Sequence, residues 1–444
     1  MTTDRDLCEP RSTQATSSEG SLTSLAALAL LVGAAAGFVC ALFRLALERA
    51  DDFRMAVINW AHGHSAIGFL IIVGACASAA VAAAWLVRRF SPHASGSGIP
   101  HVESVLRGEA SPSPFILLPV KFVGGCLAMG SGLALGREGP SVQMGAVLGH
   151  LLGDGFRRNR ADCRVLLAAG AGAGLATAFN APMAGAVFVL EELVRKFEHR
   201  IAIAALAASS TAIAIAHLML GDAPDFQLPA LAYPAPEIGP LFFLLGAFCA
   251  VLAVAYNRAV LATLAAADLV RGLPRETCAA LVGAATGVLA WMAPSSVGGG
   301  HNLTQSALFG FESLFVLPSL FQLRFWFGAL SYSAGTPGGL FAPLLALGAQ
   351  LGLLFGALCA LAFPELPIQP QAFAAVGMAA FFSGVVRAPL TGLVLVTEMT
   401  GSATLLLPML AACFMAMLIP TQVNDPPLYD ALRERLRRPS VAGK

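Results

Sequence analysis

Arg137 and Glu138 stand between Gly136 and Gly139-Pro140, and the flanking stretches 126–135 and 142–152 are almost wholly apolar. Ionisable residues are expensive inside a bilayer and rare there unless they line an ion or substrate path. Such a carboxylate can do two things. Deprotonated, it is an anion that can fill an amide-lined site; protonated, it loses that attraction and swings away, so its protonation is linked to anion occupancy. Two other glycine-rich breaks, Gly96-Ser97-Gly98-Ile99-Pro100 and Gly338-Gly339-Leu340-Phe341-Ala342-Pro343, also set glycines and a proline just before an apolar stretch. Proline suits the first turn of a helix, glycine lets backbone approach a ligand, and the unpaired N–H groups of a helix start attract anions. Three helix starts aimed at one point would hold an anion without a basic side chain. A full positive charge would hold it too tightly for conduction, which needs weak, multiple sites.

The elements that must position these breaks are membrane helices. Of 444 residues 57% are apolar and only 12% charged, against about 25% charged in an ordinary soluble domain. Apolar runs fall at about 22–48, 66–88, 115–135, 141–153, 164–190, 200–220, 238–268, 276–293, 312–332, 341–363, 372–396 and 403–420. Several are too short or too broken for a straight span of about 20 residues, a pattern of transporters whose interrupted helices meet near the midplane. The chain also repeats itself. Pro140, Gly145 and Gly149 recur 203 residues later as Pro343, Gly348 and Gly352, and Ala181-Pro182 with Glu191 recurs 207 residues later as Ala388-Pro389 with Glu398. The repeats are placed at roughly 25–215 and 238–420, with a final helix at about 427–438. Hydropathy leaves open whether they run parallel or inverted.

Basic clusters at 88–89, 157–164, 195–200, 271–275 and 433–438 are expected on the cytoplasmic side, and the loop 221–240, without Lys or Arg, on the other. Residues 1–22 are expected to be a disordered polar tail and 439–444 a short one, both termini being cytoplasmic. The formal net charge of +1 gives no case for nucleic-acid binding. The nine cysteines include no CxxC pair and the eight histidines no HExxH spacing, so neither a metal nor another cofactor is expected.

Taken together, GSGIP (96–100), GREGP (136–140), AFNAPMAGAVFVLEE (178–192), GGLFAP (338–343) and the late Tyr429 resemble the CLC family of chloride channels and chloride/proton antiporters, in the family's order over about residues 25–437. The resemblance implies an all-α polytopic membrane protein of two inverted repeats of tilted and broken helices. It further implies a homodimer with one pore per subunit, in a bacterial inner membrane, exchanging chloride for protons. Residue by residue, Ser97 would offer its hydroxyl to a central anion, in the chloride-preferring form of the motif, with the Gly96 and Ser97 amides on the inner side. Glu138 would be the outer gating carboxylate among the amides of Arg137, Glu138 and Gly139. Leu340 and Phe341 would give amides and Tyr429 its phenol to the central anion. Glu192 would be the inner proton-transfer carboxylate, favouring an antiporter over a passive channel of the same fold. His101 follows GSGIP where many relatives carry an acidic residue. No segment after Lys444 supplies the paired nucleotide-binding modules of larger relatives, so regulation by nucleotides is not expected.

Plainer readings stand beside these. Glu138 can complement a helix N-terminus, Ser97 can be turn chemistry, Tyr429 an interfacial belt residue, and Glu192 one partner of a local ion pair. Glu191 is read as structural, Glu398 and Arg387 as ties between helices, and Lys121 as a snorkelling or buried charge, not a ligand. An intramembrane hydrolase using Ser97 is a remote alternative, since no GxSG elbow with a histidine on a facing span is evident.

Overall fold

The computed structural model describes residues 21–269 and 275–437; of the tails expected at 1–22 and 439–444 it describes only 21 and 22, with Leu22 already helical, and Arg271 and Arg438 of the basic clusters lie outside the described residues. The first half consists of α1 (Leu22–His62), α2 (Ser65–Phe90), α3 (Ile99–Leu106), α4 (Leu117–Gly130), α5 (Glu138–Gly155), α6 (Arg160–Phe179), α7 (Pro182–Phe188) and α8 (His199–Leu220). The second consists of α9 (Gly239–Leu269), α10 (Arg275–Met292), α11 (His301–Phe309), α12 (Leu317–Ser333), α13 (Phe341–Ala362), α14 (Pro370–Val386), α15 (Pro389–Thr400) and α16 (Leu406–Gln422), and α17 (Leu428–Arg437) closes the described chain. Among the described residues six helices or helical stretches are long and apolar enough to cross a membrane. Large apolar side chains on their outer faces, such as Leu30, Phe38, Ile67 and Leu70, are exposed. Apolar surface on that scale is covered by lipid.

The two halves are built alike. The α5 helix packs along α6 as α13 packs along α14, and α1 lies on α8 as α9 lies on α16. The repeated glycines account for the closest of these contacts. A Cβ at Gly145 would collide with the Gly170 carbonyl, and one at its counterpart Gly348 would collide with the Gly377 carbonyl. Small residues let helix backbones approach without lipid between them. Next, α6 ends at Asn180 and α14 at Arg387, both left-handed (φ 52° and 70°), and each is followed by an Ala-Pro that starts α7 or α15. Apolar runs 164–190 and 372–396 are therefore each two helices at an angle. The halves touch through two isolated backbone bridges, Gly136 pairing antiparallel with Gly339 and Gly96 parallel with Pro337.

The first run is longer than its hydropathy. The α1 helix continues past 48 through Asp51, Asp52 and Arg54 to His62, since the Arg54 guanidinium pairs with Asp51 and donates to the carbonyls of Met129 (3.3 Å) and Gly130 (3.2 Å). Those carbonyls end α4, where Met129 also accepts from Gly132 N–H (2.9 Å), so the cation helps to complete a helix terminus.

Candidate functional site

The three glycine-proline breaks converge. Gly96 N–H donates to the Thr336 carbonyl (3.0 Å), Gly338 N–H to the Gly96 carbonyl (3.0 Å), and Gly136 and Gly339 exchange N–H···O bonds of 2.8 Å in both directions. The loop 336–339 thus ties the starts of α3 and α5 to the start of α13. Ser97, Glu138, Leu340, Phe341 and Tyr429, from four separate stretches, are all buried around that junction.

At its centre the Glu138 carboxylate is fully buried. Oε1 accepts from Ala342 N–H at 3.3 Å, with the Phe341 amide also facing the carboxylate. Oε2 has no hydrogen-bond partner in the protein. Two glycines leave the room: a Cβ on Gly136 would overlap both carboxylate oxygens, and one on Gly339 would lie 2.6 Å from Oε1 and 2.9 Å from the Gly139 nitrogen. The amide of Gly139 therefore borders the same space. Arg137 sends its side chain elsewhere. Its guanidinium donates to the Ala178 carbonyl (2.8 Å) and to Asp225 (2.9 Å), and Asp225 also pairs with Arg44 at 2.7 Å. Lys121 is buried as well, and its ammonium donates to the carbonyls of Ala94 (3.0 Å) and Gly96 (2.8 Å). Neither cation enters the amide cradle; both hold the loops that form it.

Ser97 lies against Gly139, where a Cβ would strike the Ser97 backbone and its Cβ at 2.7–2.8 Å. Its Oγ accepts from Ile99 N–H at 3.3 Å, the expected turn chemistry, which leaves the hydroxyl proton as a donor. The Ser97 N–H donates to the Tyr332 hydroxyl at 3.4 Å, and the Gly96 N–H is already used by Thr336. Tyr332 escaped the sequence reading because it sits inside the apolar run 312–332; the available signal was a phenol one turn before the 336–343 loop. Tyr429 stacks on Phe341 with ring centroids 5.9 Å apart, and its buried hydroxyl has no partner in the protein. Glu138 leads the charged groups that act on it.

Glu192 occupies a single wide π-type turn, Val189–Leu193, that extends α7, and is 2% exposed. Arg195 pairs with it at 3.2 Å and with Asp430 of α17 at 2.7 Å. Glu103 of α3, fully buried, is paired with Arg433 at 3.7 Å, and neither of its carboxylate oxygens has a hydrogen-bond partner in the protein. Glu103 was not singled out from sequence. A carboxylate on an eight-residue helix whose every residue is buried was its signal. Two residues earlier, His101 lies tilted against His93 with ring centroids 4.5 Å apart, and its unpartnered Nε2 shares a small cavity with the unpartnered Ser113 hydroxyl and Gln143 amide oxygen.

A buried carboxylate in a cradle of helix-start amides, between two structurally repeated halves of a membrane protein, defines an anion-handling transport fold. Residues 78–421 match the family described as voltage gated chloride channel, and the chain belongs to that family, the CLC proteins. It is 38% identical over 418 residues to the H(+)/Cl(-) exchange transporter ClcA of Vibrio cholerae serotype O1 (strain M66-2), covering 92% of this chain and 88% of the relative. To the ClcA exchange transporter of Salmonella typhimurium it is 36% identical over 416 residues, 92% of this chain and 88% of the relative. Among solved structures, a slow cyanobacterial Cl-/H+ antiporter superposes with a TM-score of 0.89 at 29% identity, covering 94% of this chain and 99% of that one. A eukaryotic CLC transporter shares the fold at a TM-score of 0.81 and 24% identity, over 93% and 74% of the two chains. The inverted-repeat, all-α membrane fold expected from the motifs is the fold of this family, and the family is one of transporters and channels, not enzymes.

Proposed function

We propose that the chain exchanges chloride for protons across a membrane, with Glu138 as the group for which the two ions compete. The observation that carries this reading is the placement of the Glu138 carboxylate among the amides of Gly139, Phe341 and Ala342, with no cation in the cradle. As an anion it fills a site suited to chloride; protonated, it gives up its electrostatic hold and chloride takes its place. The Ser97 hydroxyl and the unpartnered Tyr429 hydroxyl offer donors for the next chloride position, and the amides at Leu340 and Phe341 border it. Gly96 contributes through its fixed backbone, its N–H being bonded to Thr336. Glu192, with Glu103 at its side, supplies a second titratable pair reached from the α17 face and separate from the anion line.

The exchange names of the curated relatives support coupling over passive flow. In the same reading the protein is a homodimer in a bacterial inner membrane, with lipid around it, its basic α17 face cytoplasmic and both termini on that side. Purified protein in sealed vesicles tests the proposal. An imposed chloride gradient is expected to drive protons uphill; chloride flux with no proton movement would show the passive channel instead.

A further inference from the structure

A cleft of about 580 Å³ opens where the end of α3, the start of α6, the turn after Glu192 and the start of α8 meet. Arg107, Arg164, Arg195, Lys196 and Arg200 line it, against a single acidic liner, Glu198. Its floor is apolar, with Leu106, Val165, Leu193 and Ile201 among the liners. The volume lies in the range of ligand clefts, about 300–1,000 Å³. Several cations have neighbours that do not discharge the cleft. Arg164 donates to the Leu106 carbonyl, not to a carboxylate, and Arg107 stands 3.9 Å from Asp430, at the limit of an ion pair. Arg200 pairs with Asp162 at 2.8 Å, but Asp162 is itself shared with Arg158. The start of α8 places His199 and Arg200 in its first turn, behind the N-cap residue Glu198, whose side chain makes no capping hydrogen bond.

We propose that this cleft binds the phosphate group of an amphipathic or polyanionic ligand, either an anionic phospholipid headgroup or a soluble polyphosphate. The apolar floor under a cationic rim matches a glycerophosphate joined to an acyl chain, and basic pockets between membrane helices bind such headgroups. Arg195 connects the cleft to the proposed exchange site, because the same guanidinium holds Glu192 at 3.2 Å. A phosphate that engages Arg195 competes with Glu192 for it and so alters proton delivery, a step that rests on the exchange reading.

The test uses the full chain in detergent, titrated with phosphatidylglycerol, phosphatidylcholine or inorganic pyrophosphate and read by native mass spectrometry and thermal shift. Phosphatidylglycerol or pyrophosphate is expected to bind and phosphatidylcholine not; which of the two binds identifies the source. The double variant Arg107→Ala/Lys196→Ala, at exposed positions, is expected to bind about thirtyfold more weakly. A control with the same charge loss outside the cleft, Arg89→Ala/Arg437→Ala, is expected to stay within about twofold of wild type. Equal binding of phosphatidylcholine, binding of neither anion, or equal loss in the control overturns the site. In vesicles with and without phosphatidylglycerol, chloride-driven proton uptake is expected to respond to the lipid in wild type and not in the Arg107→Ala/Lys196→Ala variant. An identical response in both overturns the link to Glu192. Absence of exchange altogether overturns the exchange reading, while the detergent binding result stands by itself.

Discussion

Glu191 and Glu398, which are counterparts in the two halves, cap each other's helices. The Glu191 carboxylate accepts from the N–H groups of Leu390 (2.9 Å) and Thr391 (2.6 Å) and from the Thr391 hydroxyl (2.7 Å) at the start of α15. Glu398, at the far end of α15, accepts from Met183 (2.9 Å) and Ala184 (2.7 Å) at the start of α7. Each broken helix therefore has its orphan donors satisfied by an anion from the other half. Glu191→Ala or Glu398→Ala is expected to cost about 1–2 kcal/mol, on the scale of a lost N-cap. Thermal unfolding of the purified protein measures it, and the Glu191 loss should be the larger, since Glu191 accepts the extra bond from the Thr391 hydroxyl. An unchanged midpoint for either variant would remove the capping role.

Glu138→Ala is expected to leave chloride flux running while abolishing uphill proton movement and the pH dependence of flux. Paired chloride-efflux and proton-uptake measurements on the same vesicles check both halves of the statement. Continued proton pumping by the variant would sink the competition mechanism.

Glu192→Ala is expected to preserve chloride flux and suppress proton flux, the opposite split from a pore defect. The structure adds Glu103→Gln to the series. Because Arg195, which holds Glu192, and Arg433, which holds Glu103, both pair with Asp430 of α17, the Gln variant should slow proton flux more than chloride flux. Equal slowing of both ions would assign Glu103 to folding alone.

Gly339→Ala introduces a Cβ 2.6 Å from Glu138 Oε1. The carboxylate must leave its cradle, so the variant is expected to pass more chloride per proton than wild type. A ratio identical to wild type, in protein with an unaltered unfolding temperature, would mean that the carboxylate does not occupy this position during transport.

Tyr332→Phe removes the acceptor of the Ser97 N–H. An orphaned buried donor costs about 1–3 kcal/mol, unless chloride takes it up. Chloride affinity measured by titration calorimetry is therefore expected to rise in the variant while its unfolding temperature in chloride-free buffer falls. Weaker chloride binding would place Tyr332 among the direct ligands instead.

The fold was legible where composition and motif spoke together. Repeated Gly145/Gly348 and Pro182/Pro389 pointed to two similar halves, and the glycines do the same packing work in both. The ends of elements were less legible. Hydropathy ended the first run at about 48 because the charges that follow are visible in sequence, while the distant partners of Arg54, the Met129 and Gly130 carbonyls, are not. The site follows the same rule. Glu138, Ser97 and Tyr429 were found because glycine breaks or an isolated late motif marked them. Tyr332 and Glu103 were missed because nothing local distinguishes a polar residue in a buried helix until the loop or carboxylate it meets is known. Arg195 shows the limit from the other side: it reads as one of several loop cations, and only the fold brings it between Glu192 and Asp430.

The backbone bonds at the junction have a mechanical meaning. Thr336, Gly338 and Gly339 of the second half are stitched to Gly96 and Gly136 of the first by four main-chain hydrogen bonds. They form a rivet through the middle of the molecule. Swinging the halves apart at this point would shear all four. In the exchange reading proposed above, the moving part is then a side chain, and the stroke is the length of one glutamate.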